Sequence, residues 1–406
     1  MINLIYSSFP FGHGEPFVEY EIPYMNEKYG KEYRIFTFYQ GHGARRDIQL
    51  NGELYIIKPT VIDYIIGSLT LPLRNLVNEV KAIGQRSCPD PIIRCVWRMI
   101  YYRAYGHALI NKVRQIGTNE QDLYMSYWIN ECAYAAVMLK NRYKSLTVTT
   151  RGHGFDVYDE RCYLPYRQSI FDSVDCVYTV NGIERTYLMA KHRELTEDKI
   201  EVCHLGIKLP KEYTISVNRT PFRIMTCSTT IKLKRLDLLI RALAKVHEID
   251  FEWIHIGDGP LHNEIKELAA KELTGTNQKY SFLGQLSLSD VHEYYKSHDI
   301  SVFVNCSDTE GVPVSIMEAM SYGIPTIARN VGGISEIVGP DNGVLLEATE
   351  NVQSIKDAIL HIHSLSKEEY YCLRRNSRKK IESDFNADIQ YPCYFEKATK
   401  ARSRTI

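Results

Sequence analysis

From about residue 220 the sequence alternates regularly between short apolar runs and amphipathic stretches of about 10 to 15 residues. The runs are FRIMTCS, FEWIHIG, YSFLGQL, ISVFVN and PTIARN. A strand buried on both faces reads as a near-continuous apolar run, and parallel neighbours need a helical crossover between them. The pattern therefore predicts βαβ units around a buried parallel sheet. The first half repeats it less evenly, with strands at INLIYSS, YRIFTFY, LYIIKP, SLTVTT, DCVYTV and IEVCHLGI, and helices starting near Val18 and Gly182. Between about 60 and 141 the pattern reads as long tyrosine-rich helices.

A chain of 406 residues exceeds what one core usually spans. The stretch KLPKEYTISVNRTP has no period and reads as a linker. The expected organisation is a domain over 1–208 with a helical insertion at about 60–141, a second over 218–385, and a terminal helix over 386–406 returning toward the first. The predicted class is α/β, with two doubly wound, Rossmann-like sheets. Such sheets place ligands at the carboxyl ends of their strands, so the expected site is a cleft between the two carboxyl edges.

One segment is dense in chemistry: NCSDTEGVPVSIMEAMSYGIPTIARNVGGISEIV. A strand ends near Asn305, and a loop follows with Asp308, Glu310, Gly311 and Val312. Pro313 is expected as the first helical residue, where its missing N–H costs nothing. The helix is expected to run to Tyr322 and stop at Gly323. Its N-terminus suits a diphosphate, with Glu310 in the loop and Glu318 inside the helix.

The pair Glu310 and Glu318, the G-I-P-T strand start and the GG turn together resemble the signature of retaining glycosyltransferases of family 4, which have the GT-B fold. The resemblance covers nearly the whole chain and is densest from about 222 to 347. It implies a nucleotide-diphosphate sugar as donor, with no bound cofactor and no metal. It implies that Glu310 contacts the transferred sugar and Glu318 the ribose. It also implies same-face attack in which the leaving phosphate accepts the acceptor's proton, without a glycosidase-type carboxylate nucleophile.

Two further segments match the family's donor side. In MTCSTTIKLKRLDLLIRALAKV, Lys234 matches a diphosphate-clamping lysine. The partner arginine is replaced by Thr229, so its charge falls to Lys232 or Arg235 or is missing. In WIHIGDGPLHNEI, Gly257 and Gly259 form a tight turn, His262 stands where a third glycine would be in register, and Leu283–Gly284 fall where the base meets backbone.

In the first half, Gly12 and Gly14 flank His13 after the first strand and are expected to let backbone N–H groups approach a phosphate or acceptor. After LTVTT comes Arg151-Gly-His153-Gly-Phe-Asp156. The resemblance puts His153 against sugar and acceptor, with Arg151 and Asp156 as acceptor-side candidates. His13 and His204 lack such companions.

Lysine plus arginine equals aspartate plus glutamate, at 49 each, so no global field draws the chain toward nucleic acid, and no nucleic-acid motif is present. Local charge is another matter. From 92 to 115 the chain carries Arg94, Arg98, Arg103, Lys112 and Arg114 and no acid, interleaved with Trp97, Tyr101, Tyr102 and Tyr105. Such a helix suits an anionic membrane surface; the alternative is a helix packed on the sheet with a solvated basic face. The ten cysteines form no C-x-x-C pair and read as small buried thiols of a reducing cytoplasm. The N-terminal MINLIYSS enters a strand directly, and neither a signal peptide nor a spanning helix is expected. The expectation is a cytoplasmic enzyme, peripheral on the membrane, that extends a saccharide or lipid-linked saccharide. A nucleotide-sugar epimerase, a phosphorylase, or a binding protein without turnover are the competing readings, the last supported by Thr229.

Overall fold

The computed structural model describes every residue except 13, 40, 42, 71–78, 80–89, 350 and 402–406. These residues form two compact units, Met1–Gly206 with Ala387–Ile406, and Ile207–Asn386.

The first unit is a parallel sheet of β1 (Ile2–Tyr6), β2 (Tyr33–Thr37), β3 (Glu53–Ile56), β4 (Leu123–Ser126), β5 (Thr147–Gly152), β6 (Cys176–Thr179) and β7 (Ile200–Val202). Its order is β3-β2-β1-β4-β5-β6-β7, so the chain reverses direction across the sheet between β1 and β4. The helices are α1 (Val18–Tyr29), α2 (Val61–Leu69), α3 (Ile92–Ile116), α4 (Glu131–Arg142), α5 (Arg167–Ser173) and α6 (Gly182–Lys191). The helix Ala387–Ala401 belongs to this unit, where the Tyr391 hydroxyl donates to the carbonyls of Phe17 and Gly206. The region expected as a helical insertion is not wholly helical. Its LYMS segment is β4, a central strand paired with both β1 and β5. All four of its residues are buried, so it shows no alternation, and so short a run cannot be told from part of a helix by period.

The second unit is a parallel sheet of β8 (Phe222–Cys227), β9 (Phe251–Ile256), β10 (Gln278–Gly284), β11 (Val302–Asn305), β12 (Thr326–Arg329) and β13 (Gly343–Leu346), in the order β10-β9-β8-β11-β12-β13. The reversal falls between β8 and β11. The helices are α7 (Leu236–Leu243), α8 (His262–Glu272), α9 (Leu288–Ser297), α10 (Val314–Ser321), α11 (Val352–Ser364) and α12 (Lys367–Asp384). Trp253, Leu239, Ile327 and Ile359 are fully buried between sheet and helices, each worth about 1.5–3 kcal/mol of burial. Ser366 caps α12 through a reciprocal box with Glu369.

Of the nine described cysteines, Cys372 and Cys393 are exposed, against the expectation of burial; both lie on helices, where one face meets solvent. Among the described residues no helix is long and apolar enough to cross a membrane.

Candidate active site

The carboxyl ends of β8 and β11 flank the reversal point of the second unit, and the loops leaving them are tied together. Asp308 N–H donates to the Leu233 carbonyl at 2.9 Å, joining the loop after β11 to the 3-10 turn Lys232–Lys234. Across this junction Lys234 Nζ lies 2.6 Å from Glu310 Oε1. The same oxygen accepts from Asn305 Nδ2 at 3.2 Å, while Asn305 Oδ1 accepts from Ser307 N–H. Behind Glu310 the GG turn is packed so closely that only glycine fits. Gly332 has φ +54, and a Cβ there would stand 1.8 Å from the Glu310 carbonyl. Gly333 N–H donates to the Gly311 carbonyl at 2.9 Å. The turn thus fixes the backbone that carries Glu310.

Pro313 is the N-cap of α10 rather than its first helical residue, because its ψ of 107° is extended. The other end is as expected. Gly323 at φ +68 ends the helix, with Gly323 and Ile324 N–H groups returning to Met320 and Ala319. Val312 and Glu318 are buried, the latter within α10.

Arg235 is not a free cation. It lies 3.2 Å from Asp237 and 3.1 Å from Asp308. Asp308 also meets Arg329, at 2.5 Å, from the end of β12. Burial pushes the Asp308 carboxyl up, but the hydrogen bonds from Arg329 and Arg235 outweigh it and hold it below the usual carboxylate value. Thr229 and Lys232 are exposed, and Lys232 has no carboxylate partner among the described residues. Of the two cations, Lys232 is thus the less committed.

The loops after β8, β9 and β10 interlock. Gly257, at φ +135, would place a Cβ 1.9 Å from the Ser228 carbonyl, and its N–H donates to Gly284 O at 2.8 Å. Leu283 is exposed beside Gly284. Beneath them runs a buried chain. Trp253 Nε1 donates to Thr226 Oγ1 at 3.1 Å, Thr226 Oγ1 lies 2.9 Å from His255 Nδ1, and His255 Nε2 lies 3.3 Å from Thr230 Oγ1. Burial, with the His262 charge, pushes His255 down to about 4, so the ring is neutral near pH 7. An indole N–H can only donate. Thr226 Oγ1 therefore accepts from Trp253 and also lies 3.5 Å from the Ile254 carbonyl, and the His255 ring links Thr226 to Thr230, bracing the loop between Ser228 and Lys234.

In the first unit the reversal point holds a different arrangement. Glu15, at φ +58, turns back into the loop after β1. Its carboxylate accepts from the N–H groups of Ser7, Ser8 and Phe9 at 3.1, 2.9 and 2.6 Å, and from Trp128 Nε1 at 2.6 Å. The glycine loop is also committed. Gly12 N–H donates to Ala44 O, and the Gly12 and Gly14 carbonyls accept from Arg46. The free amide expected at Gly12 is absent, because the loop bonds to the segment around Ala44.

His153 follows β5 and stacks on Phe17 with ring centroids 4.4 Å apart, beside Trp128 and Tyr127. Neither ring nitrogen has a hydrogen-bond partner among the described residues. Burial, then the Arg151 charge, lowers its pKa well below the usual value. Two expected acceptor-side residues are instead structural. Arg151 is fully buried, donates to the carbonyls of Cys203 and His204 at 2.8 and 3.0 Å, and lies over the Tyr394 ring. Asp156 accepts from the N–H groups of Ile129 and His153, stapling the loop that presents His153. His204 Nδ1 contacts the Val180 carbonyl, and His13 lies outside the described residues.

Residues 221–364, β8 through α11, match the family model described as glycosyl transferases group 1. That segment is thus similar to glycosyl transferases group 1. WcaL of Escherichia coli strain K12, assigned to colanic acid biosynthesis as a glycosyltransferase, is 24% identical over 267 residues, 60% of this chain and 61% of that protein. The chain thus spans less than two thirds of that relative. The uncharacterized glycosyltransferase MJ1178 of Methanocaldococcus jannaschii is 25% identical over 328 residues, 76% of this chain and 88% of the relative. Among solved structures, Anabaena HepE in complex with UDP superposes with a TM-score of 0.70 at 16% identity, covering 98% of this chain and all of that one. The fold is GT-B, with two Rossmann-like parallel-sheet units.

Within the matched segment, Lys234 and Glu310 are in contact, Thr229 and Gly257 lie on the interlocked loops, and Leu283 and Gly284 end β10 beside them. Sequence reasoning missed Asn305, Arg329 and His255. Arg329 was visible as a charge closing the apolar run PTIAR. His255 gave no signal, since a histidine in a strand looks the same whether or not it bridges two threonines.

Proposed function

We propose that the chain is a retaining glycosyltransferase that moves a sugar from a nucleotide-diphosphate sugar to a saccharide or lipid-linked saccharide, in polysaccharide or glycolipid assembly. One observation carries the reading: a lysine and a carboxylate on separate loops meet at the reversal point between β8 and β11, where doubly wound sheets bind ligands. The diphosphate takes Lys234 and the N-terminal end of α10, leaving Glu310 for the sugar and Glu318 for the ribose. Lys234 thereby exchanges a carboxylate for a phosphate. The acceptor oxygen bonds to the anomeric carbon on the face that the diphosphate leaves. The sugar–phosphate bond breaks, and the acceptor's proton passes to the departing phosphate. Fixed charges matter here because positive charge develops on the sugar as negative charge grows on the diphosphate.

HepE was solved with UDP, so UDP-sugars are the first donors to try. The test is thermal stabilisation by a set of nucleotide sugars, then the anomeric configuration of product or hydrolysed sugar by NMR. Stabilisation with a retained anomer supports the reading. Inversion removes the retaining mechanism, and stabilisation without turnover leaves the binding-protein reading that exposed Thr229 favours.

A further inference from the structure

Amphipathic helices ordinarily turn their apolar side inward. Helix α2 does the reverse. The side packed on α3 carries Asp63 and Gly67. Asp63 is buried and closes the capping box with Thr60, and the Gly67 carbonyl accepts from Arg103 Nε at 3.1 Å. The outward side carries Val61, Ile62, Ile65, Ile66 and Leu69, and three of these are 75%, 65% and 81% exposed (Val61, Ile62 and Leu69). At 100° per residue the five fall within one stripe. The stripe continues onto the first turns of α3, where Ile93 is 82% and Trp97 56% exposed. Tyr64 and Trp97 stack across the helix junction at 5.6 Å and 6°. A contiguous apolar face of this kind marks an interaction surface.

Its charges select the partner. Arg94 and Arg98 share one carboxylate, Asp90. Beside the start of α2 opens a groove of about 860 Å³ walled by three cations, Lys58, Lys112 and Arg114, and one carboxylate, Asp63, which is committed to Thr60 and Asn111, with exposed Ile56 on its rim. A second copy of the chain would set these cations against their own kind. An anionic bilayer accepts both features, with aliphatic side chains entering at headgroup depth and cations meeting phosphate. The basic residues of 92–115 do not form this surface as a whole. Arg103 is buried, bonded to Gly67, Thr70 and Tyr134, and Tyr102 and Tyr105 are in the core.

We propose that the outward face of α2 and the first two turns of α3 form a docking surface for anionic lipid, with apolar insertion as the main attraction and the basic groove holding headgroups. The surface stands whether or not the donor-site reading does.

The test is flotation of the full chain with phosphatidylcholine vesicles, with and without phosphatidylglycerol, together with tryptophan emission and sedimentation velocity. The expected results are binding that is strongest with phosphatidylglycerol and a blue shift that disappears in Trp97→Phe. Replacing Ile62, Ile65 and Leu69 by serine should lower the bound fraction more than about tenfold, since each loses a buried aliphatic group. These side chains are exposed, so the fold should survive, which circular dichroism checks. Arg103→Gln should not weaken binding in any selective way, whereas Arg94→Gln should weaken it at low salt only. No flotation at low salt, or a dimer that the triple-serine variant dissolves while vesicles have no effect, would overturn the proposal.

Discussion

The two sheets reverse direction at equivalent places, between β1 and β4 in one unit and between β8 and β11 in the other, yet they treat charge oppositely. In the first, the turn's amides are already filled by an internal carboxylate, Glu15, that has nowhere else to go. In the second, a carboxylate is held by a lysine on another loop, an arrangement that an incoming anion can replace. Backbone amides spent on a buried side chain make a rigid floor. A lysine–glutamate contact at a loop junction, with both side chains partly reachable, makes an exchangeable one. The same topology thus yields a scaffold in one unit and a candidate donor site in the other.

The comparison breaks most visibly at Glu310. Glu310→Gln should lower turnover by about 10²–10³-fold, the scale of losing one preorganised electrostatic group, with little change in melting temperature; wild-type turnover would remove the assignment. Glu15→Gln should do the reverse. It puts an amide where three N–H groups and an indole N–H point, leaving buried donors unpaired at about 1–3 kcal/mol. Thermal denaturation should show a loss of several degrees, with nucleotide binding to the other unit intact. If Glu15→Gln melts normally, the first reversal point is not a rigid floor.

Lys234→Ala should weaken both the nucleotide sugar and the free nucleoside diphosphate by about tenfold, as expected for one hydrogen bond between charged groups. Calorimetry on that variant and on Thr229→Arg separates the lysine's share from what Lys232 supplies. The smallest effect concerns Glu131, at the start of α4 beside the first reversal point. Burial pushes its carboxyl up to about 7 from the usual 4.5. The folded chain keeps this proton after the unfolded chain has released it. Its contribution is therefore most favourable below about pH 4.5 and declines as pH rises toward 7. Glu131→Gln should flatten that part of the melting-temperature profile; an unchanged slope would show that the carboxyl is ionised throughout.

What was legible in the sequence follows the range of the interactions. Short buried strands such as β6, β11 and β12 announce themselves where helical patterns alternate with them, whereas β4, equally short but inside a helical region, does not. The place of Glu310 in a loop before a helix and the left-handed stop at Gly323 were readable because both are local, whereas the close approach of Gly332 to the Glu310 carbonyl was not. Arg151 misled because a charge at a strand's carboxyl end looks the same whether it faces a ligand or the Cys203 and His204 carbonyls. Glu15, next to Gly14, gave no sign of its role, since its partners Ser7 and Trp128 lie on other segments. The amphipathic pattern of α2 is readable as a helix, but which side faces the protein is fixed only by the packing of Gly67 on α3.

The most direct test of exchange at the second reversal point is titration of UDP into wild-type protein and Glu310→Gln by calorimetry. If Lys234 must leave Glu310 to hold phosphate, removing the carboxylate's charge frees the lysine in advance. The variant should then bind UDP more tightly than wild type while losing turnover. Equal or weaker binding by the variant would contradict exchange between carboxylate and phosphate, and a wild-type protein that binds neither UDP nor any other nucleoside diphosphate would contradict the donor site itself.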